Sequence, residues 1–318
     1  MWRLTDVIVM QELLTHPVVS GLLVMTLVGV LAYKAGFLDI SGMISAFVVG
    51  FAVWYTGGPP AFTILLFFFL TSGLATKFKY KAKAKQGLAQ EGKGKRSYKN
   101  VLASGIIPLF FSVAWYIARV YPSLGIDPFW MFGGFVGAVA TTAADTLASE
   151  IGVFSKSKPR LITNLRRKVP RGTIGAVSLL GEAVAAAAGL AIGIIAIFFA
   201  LVSSGTAWGS VPVANAAQFM FIIPLAILTG FIGCNLDSLI GAIAQNRFVC
   251  EICGAITDKE FHCSYETKYV GGFKRFTNIH VNLGSSTMGA TLGIVLGAGL
   301  FVWILGGLFF WIAASSSS

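Results

Sequence analysis

The recurrence of apolar runs long enough to cross a bilayer constrains this chain more than any other feature. Such runs fall near residues 14–36, 41–58, 60–77, 101–121, 128–146, 173–204, 216–245 and 283–313, and about 20 apolar residues suffice for one helical crossing. Of 318 residues 56% are hydrophobic and 12% charged, against about 25% charged in a soluble chain, which excludes a water-soluble globule. The expected fold is all-α and polytopic: a single integral membrane domain over residues 1–318 with about eight transmembrane helices. The second and third runs are the weakest, because only Gly57-Gly58-Pro59-Pro60 separates them. The opening residues, MWRLTDVIVMQELL, carry acids and no basic stretch ahead of a cleavage site, so no removable signal peptide is expected.

Charge then orients the spans. Nine basic residues lie in Lys77–Asn100, seven in Lys156–Arg171 and five in Arg247–Arg275; with Lys34 these are 22 of the 24 Lys and Arg, leaving only Arg3 and Arg119. In an eight-span chain all three loops fall on one side, which the positive-inside rule makes the cytoplasm. The net charge of +11 is explained by this topology signal and by contact with anionic membrane lipids, so no nucleic-acid partner is expected.

Carboxylates at membrane depth are functional candidates by default. Asp145 sits in Ala144-Asp145-Thr146-Leu147-Ala148-Ser149-Glu150 at the end of the fifth run, and Asp237 in Gly233-Cys234-Asn235-Leu236-Asp237-Ser238 on the seventh. Each acid is followed by a basic loop and then by a similar tetrapeptide, Thr173-Ile174-Gly175-Ala176 or Thr287-Met288-Gly289-Ala290. An internal duplication is expected, with units at about 128–204 and 216–313 and a Cys-containing cytoplasmic insertion at about 248–276. Gly233, Asp237, Gly241 and Gln245 recur every fourth residue, one helix face that lets another backbone close on the carboxylate.

The expected site is therefore acids beside helix N-termini at the cytoplasmic surface. Asp145 and Asp237, with Glu150 from the loop, are candidate Mg²⁺ ligands, while Gly172-Thr173 and Gly284-Ser285-Ser286-Thr287 read as openings of spans 6 and 8 whose amides suit phosphate. Arg96 and Asn100 in Gly94-Lys95-Arg96-Ser97-Tyr98-Lys99-Asn100 read either as an anion site or as a helix cap. Asn278-Ile279-His280-Val281-Asn282 reads as an extended lead into span 8, with His280 structural. Cys250 and Cys253 with Cys263 form a candidate structural Zn²⁺ site, although a lone CxxC with adjacent His262-Cys263 is a weak zinc pattern; the alternative is a small hairpin turning at Gly254.

The motifs Lys95-Arg96-Ser97-Tyr98-Lys99-Asn100, Ala144-Asp145-Thr146-Leu147-Ala148-Ser149-Glu150-Ile151-Gly152, Val169-Pro170-Arg171-Gly172-Thr173-Ile174-Gly175, Asp237-Ser238 with Gly241 and Gln245, and Asn278-Ile279-His280-Val281-Asn282 together resemble the polytopic membrane family that includes plant phytyl-phosphate kinase. The resemblance runs from about residue 20 to 313. It implies phosphoryl transfer from a nucleoside triphosphate, CTP or another, to phytyl or geranylgeranyl phosphate, giving the isoprenoid diphosphate. Leu147 and Arg171 stand where the family pattern leads one to expect Trp and Gly. On this reading Asp145, Asp237 and Arg171 are catalytic, Asp145, Glu150 and Asp237 hold Mg²⁺, and Arg96, Asn100, Lys168, Thr173, Asn278, Asn282, Ser285 and Ser286 bind phosphates. The prenyl tail lies in a lateral groove between spans. A lipid monophosphate is already a nucleophile near neutral pH, its second pKa being about 6, so positioning and charge neutralisation carry the chemistry. The competing expectations are a lipid-phosphate cytidylyltransferase, a transporter using the same duplicated helices, and a non-catalytic lipid-binding scaffold.

Overall fold

The computed structural model describes residues 16–90, 92–203, 210–252, 254, 256–258, 260–262 and 264–300. The opening segment and residues 301–313 of the last apolar run lie outside the described residues. Eight helices follow in order: α1 Pro17–Lys34, α2 Ile40–Lys77, α3 Tyr80–Lys85, α4 Tyr98–Val120, α5 Pro128–Gly152, α6 Leu179–Val202, α7 Ala216–Ala244 and α8 Asn278–Val295. All but the short α3 are long and apolar enough to cross a membrane.

Among the described residues these seven helices form eight membrane-length segments, because α2 folds back on itself. At Gly58 the backbone leaves the helix with φ 68° and ψ −168°, a left-handed angle that glycine adopts without strain. Pro59 then starts the second arm with a fixed φ and no amide to leave unpaired. The ends of the two arms meet again. Phe37, just ahead of α2, packs edge-on against Phe69 with ring centroids 6.2 Å apart, and Lys77 Nζ donates to the Ala35 carbonyl at 2.5 Å; a straight helix would separate Phe37 from Phe69 by about 48 Å. The tight Gly-Pro turn therefore joins two full-length arms. Arg119, isolated from the other basic residues, is explained by this tip: its guanidinium donates to the Thr56 carbonyl at 3.3 Å and lies over Trp115 and Tyr116 at 5.9 and 5.8 Å.

Helix α5 is the axis of the bundle, packed by α4, α6, α7 and α8. Away from the basic loops its core is aromatic: Phe129, Phe132 and Phe135 are fully buried around Trp115, which meets Phe132 edge-on at 5.1 Å. Toward the basic loops the packing residues become Gly, Ala and Thr, and backbones approach closely. Those loops share one end of the bundle. Leu38 pairs with Arg96 as an isolated bridge, Lys83 meets Glu150, and Gly172 lies against Leu88.

Three boundaries differ from the hydropathy reading, each because local hydrogen bonding rather than apolarity sets a helix end. Span 6 does not open at Thr173: residues 156–178 form a small sheet of β1 (Arg160–Leu161), β2 (Asn164–Lys168) and β3 (Ala176–Val177), in the order β2-β1-β3, and the helix starts after Ser178, whose hydroxyl accepts from Gly181 N. Span 8 opens earlier than Leu283. Thr277 and His280 form a capping box, so Asn278–Asn282 are helical rather than extended and Ser285-Ser286 are well inside α8. Span 5 continues past Asp145 to Gly152. After α7, β4 (Arg247–Val249) turns back antiparallel into β5 (Ile256–Thr257) at Gly254, with φ 70° and its amide bonded to the Cys250 carbonyl. Strand β8 (Lys268–Gly271) adds to the other side of β4, and β6 (Phe261–His262) pairs with β7 (Tyr265–Glu266). Cys250 is buried; Cys253 and Cys263 of the zinc expectation lie outside the described residues.

The fold-back predicts that a short bis-thiol reagent joins Phe37→Cys to Phe69→Cys within one molecule, read as a linked peptide pair by mass spectrometry. The pair Phe37→Cys with Thr56→Cys, at opposite ends of the first arm, stays unlinked. The reverse pattern contradicts the turn at Gly58.

Candidate functional site

The two acids are brought face to face by a three-helix contact at Thr141. A Cβ added at Gly233 of α7 would lie 2.1 Å from Thr141 Oγ1, and one added at Gly289 of α8 would lie 2.0 Å from the same atom. Only glycine permits either approach. Thr141 Oγ1 also donates to the Thr229 carbonyl of α7 at 2.9 Å, tying the helices across the contact. One helical turn further on stand Thr141+4 and Gly233+4, which are Asp145 and Asp237. Their carboxyl groups are close enough to act on each other electrostatically. Asp145 lies seven residues before the end of α5 and Asp237 seven before the end of α7, or about 10 Å from the basic end of the bundle at 1.5 Å per residue.

Helix α8 completes the pair. Ser285 Oγ donates to Asp237 Oδ2 at 2.7 Å and to the Asn282 carbonyl at 3.2 Å. Ser285 and Ser286 are buried; Ser286 does not reach the acids but sits between Thr142 Oγ1, at 3.4 Å, and the Ala138 carbonyl. Asn282, three residues before Ser285 and on the same helix face, has its side-chain oxygen buried with no hydrogen-bond partner among the described residues. Two carboxylates and an orphaned amide oxygen are hard donors of the type Mg²⁺ takes, so the residues fit that ion. Among the described residues no three His, Cys, Asp or Glu side chains converge as a metal cluster.

Glu150 is not part of that pair. Lys83, 1% exposed, donates to Glu150 Oε2 at 2.5 Å and to the Ala75 and Thr76 carbonyls at 2.9 and 2.8 Å. The carboxylate is thus the counter-ion of a lysine that caps the second arm of α2, and a desolvated ammonium requires that partner. Arg171 is exposed and donates to the Ser155 carbonyl at 2.7 Å. Lys168 lies exposed on β2, and Thr173 is bonded to the Pro170 carbonyl at 2.8 Å. This loop still reaches the acids' helix: Gly175 lies against the Ser238 carbonyl and Ala242. Asn100 accepts from Ser97 N at 3.2 Å as a capping box, the helix-cap alternative. Arg96 is buried, and Asn278 is exposed at the start of α8.

Two residues escaped the sequence reading. Asn235 Nδ2 donates to Glu182 Oε2 at 2.8 Å, and Cys234 beside it is buried among Ala144, Ala148, Ala185 and Ala188. The available signal was Glu182 itself, the one carboxylate between Gly172 and Val202.

The apposed acids predict a Mg²⁺-dependent rise in thermal stability, worth about 2.7 kcal/mol at a hundredfold excess over Kd. Asp145→Asn and Asp237→Asn remove the rise. Glu150→Gln keeps it while destabilising the protein by about 3–5 kcal/mol, the scale for breaking a buried ion pair. Differential scanning fluorimetry in detergent, with and without Mg²⁺, measures both effects.

A family model described as integral membrane protein DUF92 matches residues 23–290. The chain is 30% identical over 247 residues to Protein PGR of Arabidopsis thaliana, covering 76% of this chain and 83% of that protein. It is 29% identical over 262 residues to Protein VTE6, chloroplastic, of the same plant, covering 81% and 65%. An uncharacterised membrane protein of Methanocaldococcus jannaschii matches at 26% over 277 residues, 87% of this chain and 92% of the other. No solved structure matches.

Proposed function

The chain belongs to the integral membrane protein DUF92 family, and from that premise we propose that it is a prenyl-phosphate kinase, making an isoprenoid diphosphate from phytyl or geranylgeranyl phosphate with a nucleoside triphosphate, CTP foremost. The observation that carries this reading is the apposition of Asp145 and Asp237 about 10 Å from the basic end of the bundle, with Ser285 bonded to one of them. Two carboxylates on facing helices form a cation site, and the basic loops beside them suit a polyanion. The motifs that resemble the family of plant phytyl-phosphate kinase supply the reaction class. By the positive-inside rule the site faces the cytoplasm, where nucleotide is available.

In this reading an oxygen of the lipid monophosphate bonds to the γ-phosphorus while the bond from that phosphorus to the β–γ bridging oxygen breaks, leaving CDP. Asp145, Asp237 and the Asn282 amide oxygen would hold the ion, and Ser285 fixes the orientation of the Asp237 carboxylate. When bound, Mg²⁺ supplies charge neutralisation for the phosphoryl oxygens. Arg171, Lys168 and Thr173, on the exposed 156–178 loop, contact the nucleotide's phosphates. The depth of the acids favours an interfacial enzyme over a transporter, whose sites lie near mid-membrane.

The test is turnover of labelled nucleoside triphosphate with phytyl monophosphate and Mg²⁺ by protein in nanodiscs. Lipid diphosphate and nucleoside diphosphate are the expected products, and Asp145→Asn or Asp237→Asn lowers kcat/KM by about 10²–10³, the scale of one lost electrostatic group in a preorganised site. Pyrophosphate release identifies a cytidylyltransferase instead. No phosphoryl transfer by folded protein with any of the four nucleotides rejects the kinase.

A further inference from the structure

A cavity of about 90 Å³ lies between α1, the two arms of α2 and the start of α4. Its walls are apolar, Phe47, Phe62, Leu65, Leu66, Phe68 and Phe69 among them, but Arg96 and Asn100 line it as well. Arg96 is 9% exposed. Its backbone is pinned by Phe37 and Asp39, through Arg96 N to the Phe37 carbonyl at 2.9 Å and Asp39 N to the Arg96 carbonyl at 3.1 Å. Asp39 is itself fixed as the cap of α2, its carboxylate held below the usual range by the amide of Gly42 and the hydroxyl of Ser41. A Cβ on Gly42 would lie 2.1 Å from the Arg96 carbonyl oxygen, so the arginine is seated tightly against α2.

The guanidinium, by contrast, is left without a protein partner. Among the described residues it donates no hydrogen bond and makes no ion pair within 4.0 Å; Glu150 acts on it from further away and is itself bonded to Lys83. A cation nine-tenths buried without a protein partner is unfavourable, and an anionic ligand relieves it. Lys83, buried more deeply still at 1% exposed, has three acceptors, the pattern of a cation with a structural role. A second cavity, of about 190 Å³, lies against Phe67, Leu147, Ala188 and Ile192; its lining has no charge to hold a headgroup.

We propose that the cavity between α1, α2 and α4 is the acceptor-lipid site: it takes the phosphate-proximal end of the single hydrocarbon chain of an isoprenoid monophosphate, with Arg96 and Asn100 at its polar end holding the phosphate. The identity of the headgroup rests on the kinase reading; the cavity and its arginine do not. A cavity of about 90 Å³ holds the few carbons of one chain nearest the phosphate and leaves no room for a second chain beside them. Arg96 thereby contacts the acceptor, leaving the nucleotide to the 156–178 loop.

Equilibrium binding of radiolabelled phytyl monophosphate to the full chain in nanodiscs, without nucleotide or Mg²⁺, tests this separately from catalysis. Wild type is expected to bind phytyl monophosphate at least about tenfold tighter than phytol. Arg96→Gln abolishes that preference with less than a twofold effect on phytol, and Arg96→Lys retains part of it. Ala46→Trp, which fills the cavity from the first arm of α2, weakens both ligands alike. An unchanged phosphate preference in folded Arg96→Gln, or full affinity in folded Ala46→Trp, overturns the assignment. So does displacement by dioleoyl phosphatidate as effective as that by unlabelled phytyl monophosphate, which makes the cavity a phospholipid site. Binding as expected with no turnover rejects the kinase and leaves the lipid site standing.

Discussion

The close approach of α5, α7 and α8 around Thr141 is the contact on which the rest of the structure depends. Within a bilayer, apolar surface gains nothing by leaving lipid for protein, so helices associate where small residues let backbones touch. Gly233 and Gly289 both close on Thr141 Oγ1, and Gly137 closes on the Gly289 carbonyl. The packing register is also the chemical register, since Asp145 and Asp237 follow Thr141 and Gly233 by one turn each. A larger side chain at Gly233 separates the helices and the acids together.

At the basic end, two buried cations are treated in opposite ways. Lys83 spans helix α2, whose last carbonyls it caps, and helix α5, whose Glu150 it neutralises; this fixes the second arm of α2 against the acid-bearing helix. Arg96 is held as firmly by its backbone but offers its guanidinium to a cavity. The loop-borne sheet at 156–178 joins the two regions, with Gly172 against Leu88 on one side and Gly175 against Ser238 and Ala242 on the other.

Much of the fold was legible because the membrane imposes a simple rule, that every crossing is a long apolar helix. The fold-back at Gly58, the shared side of the basic loops and the placing of Asp145 and Asp237 on spanning helices near their basic ends could all be read from hydropathy, glycine, proline and misplaced charge. What could not be read depended on partners distant in sequence. Glu150 resembles a third metal ligand until Lys83, 67 residues earlier, claims it. Ser285 and Asn282 looked like groups at a helix opening, yet Thr277 and His280 cap α8 upstream and turn both residues into side chains on an interior face. Thr173 matched Thr287 in a local motif, but one ends in a loop and the other in the third turn of α8, a difference that only the intervening sheet decides. Glu182 was visible as a lone acid and acquired meaning only beside Asn235.

The central claim is that the apposed acids hold a divalent cation next to transferable phosphate. Electron paramagnetic resonance of Mn²⁺ bound in place of Mg²⁺, with a non-hydrolysable nucleotide and ³¹P hyperfine detection, tests it most directly. The account predicts one bound Mn²⁺ per chain with a resolved phosphorus coupling, and loss of that signal in the folded Asp145→Asn/Asp237→Asn double variant. The same signal in wild type and double variant, or bound Mn²⁺ without phosphorus coupling, contradicts it.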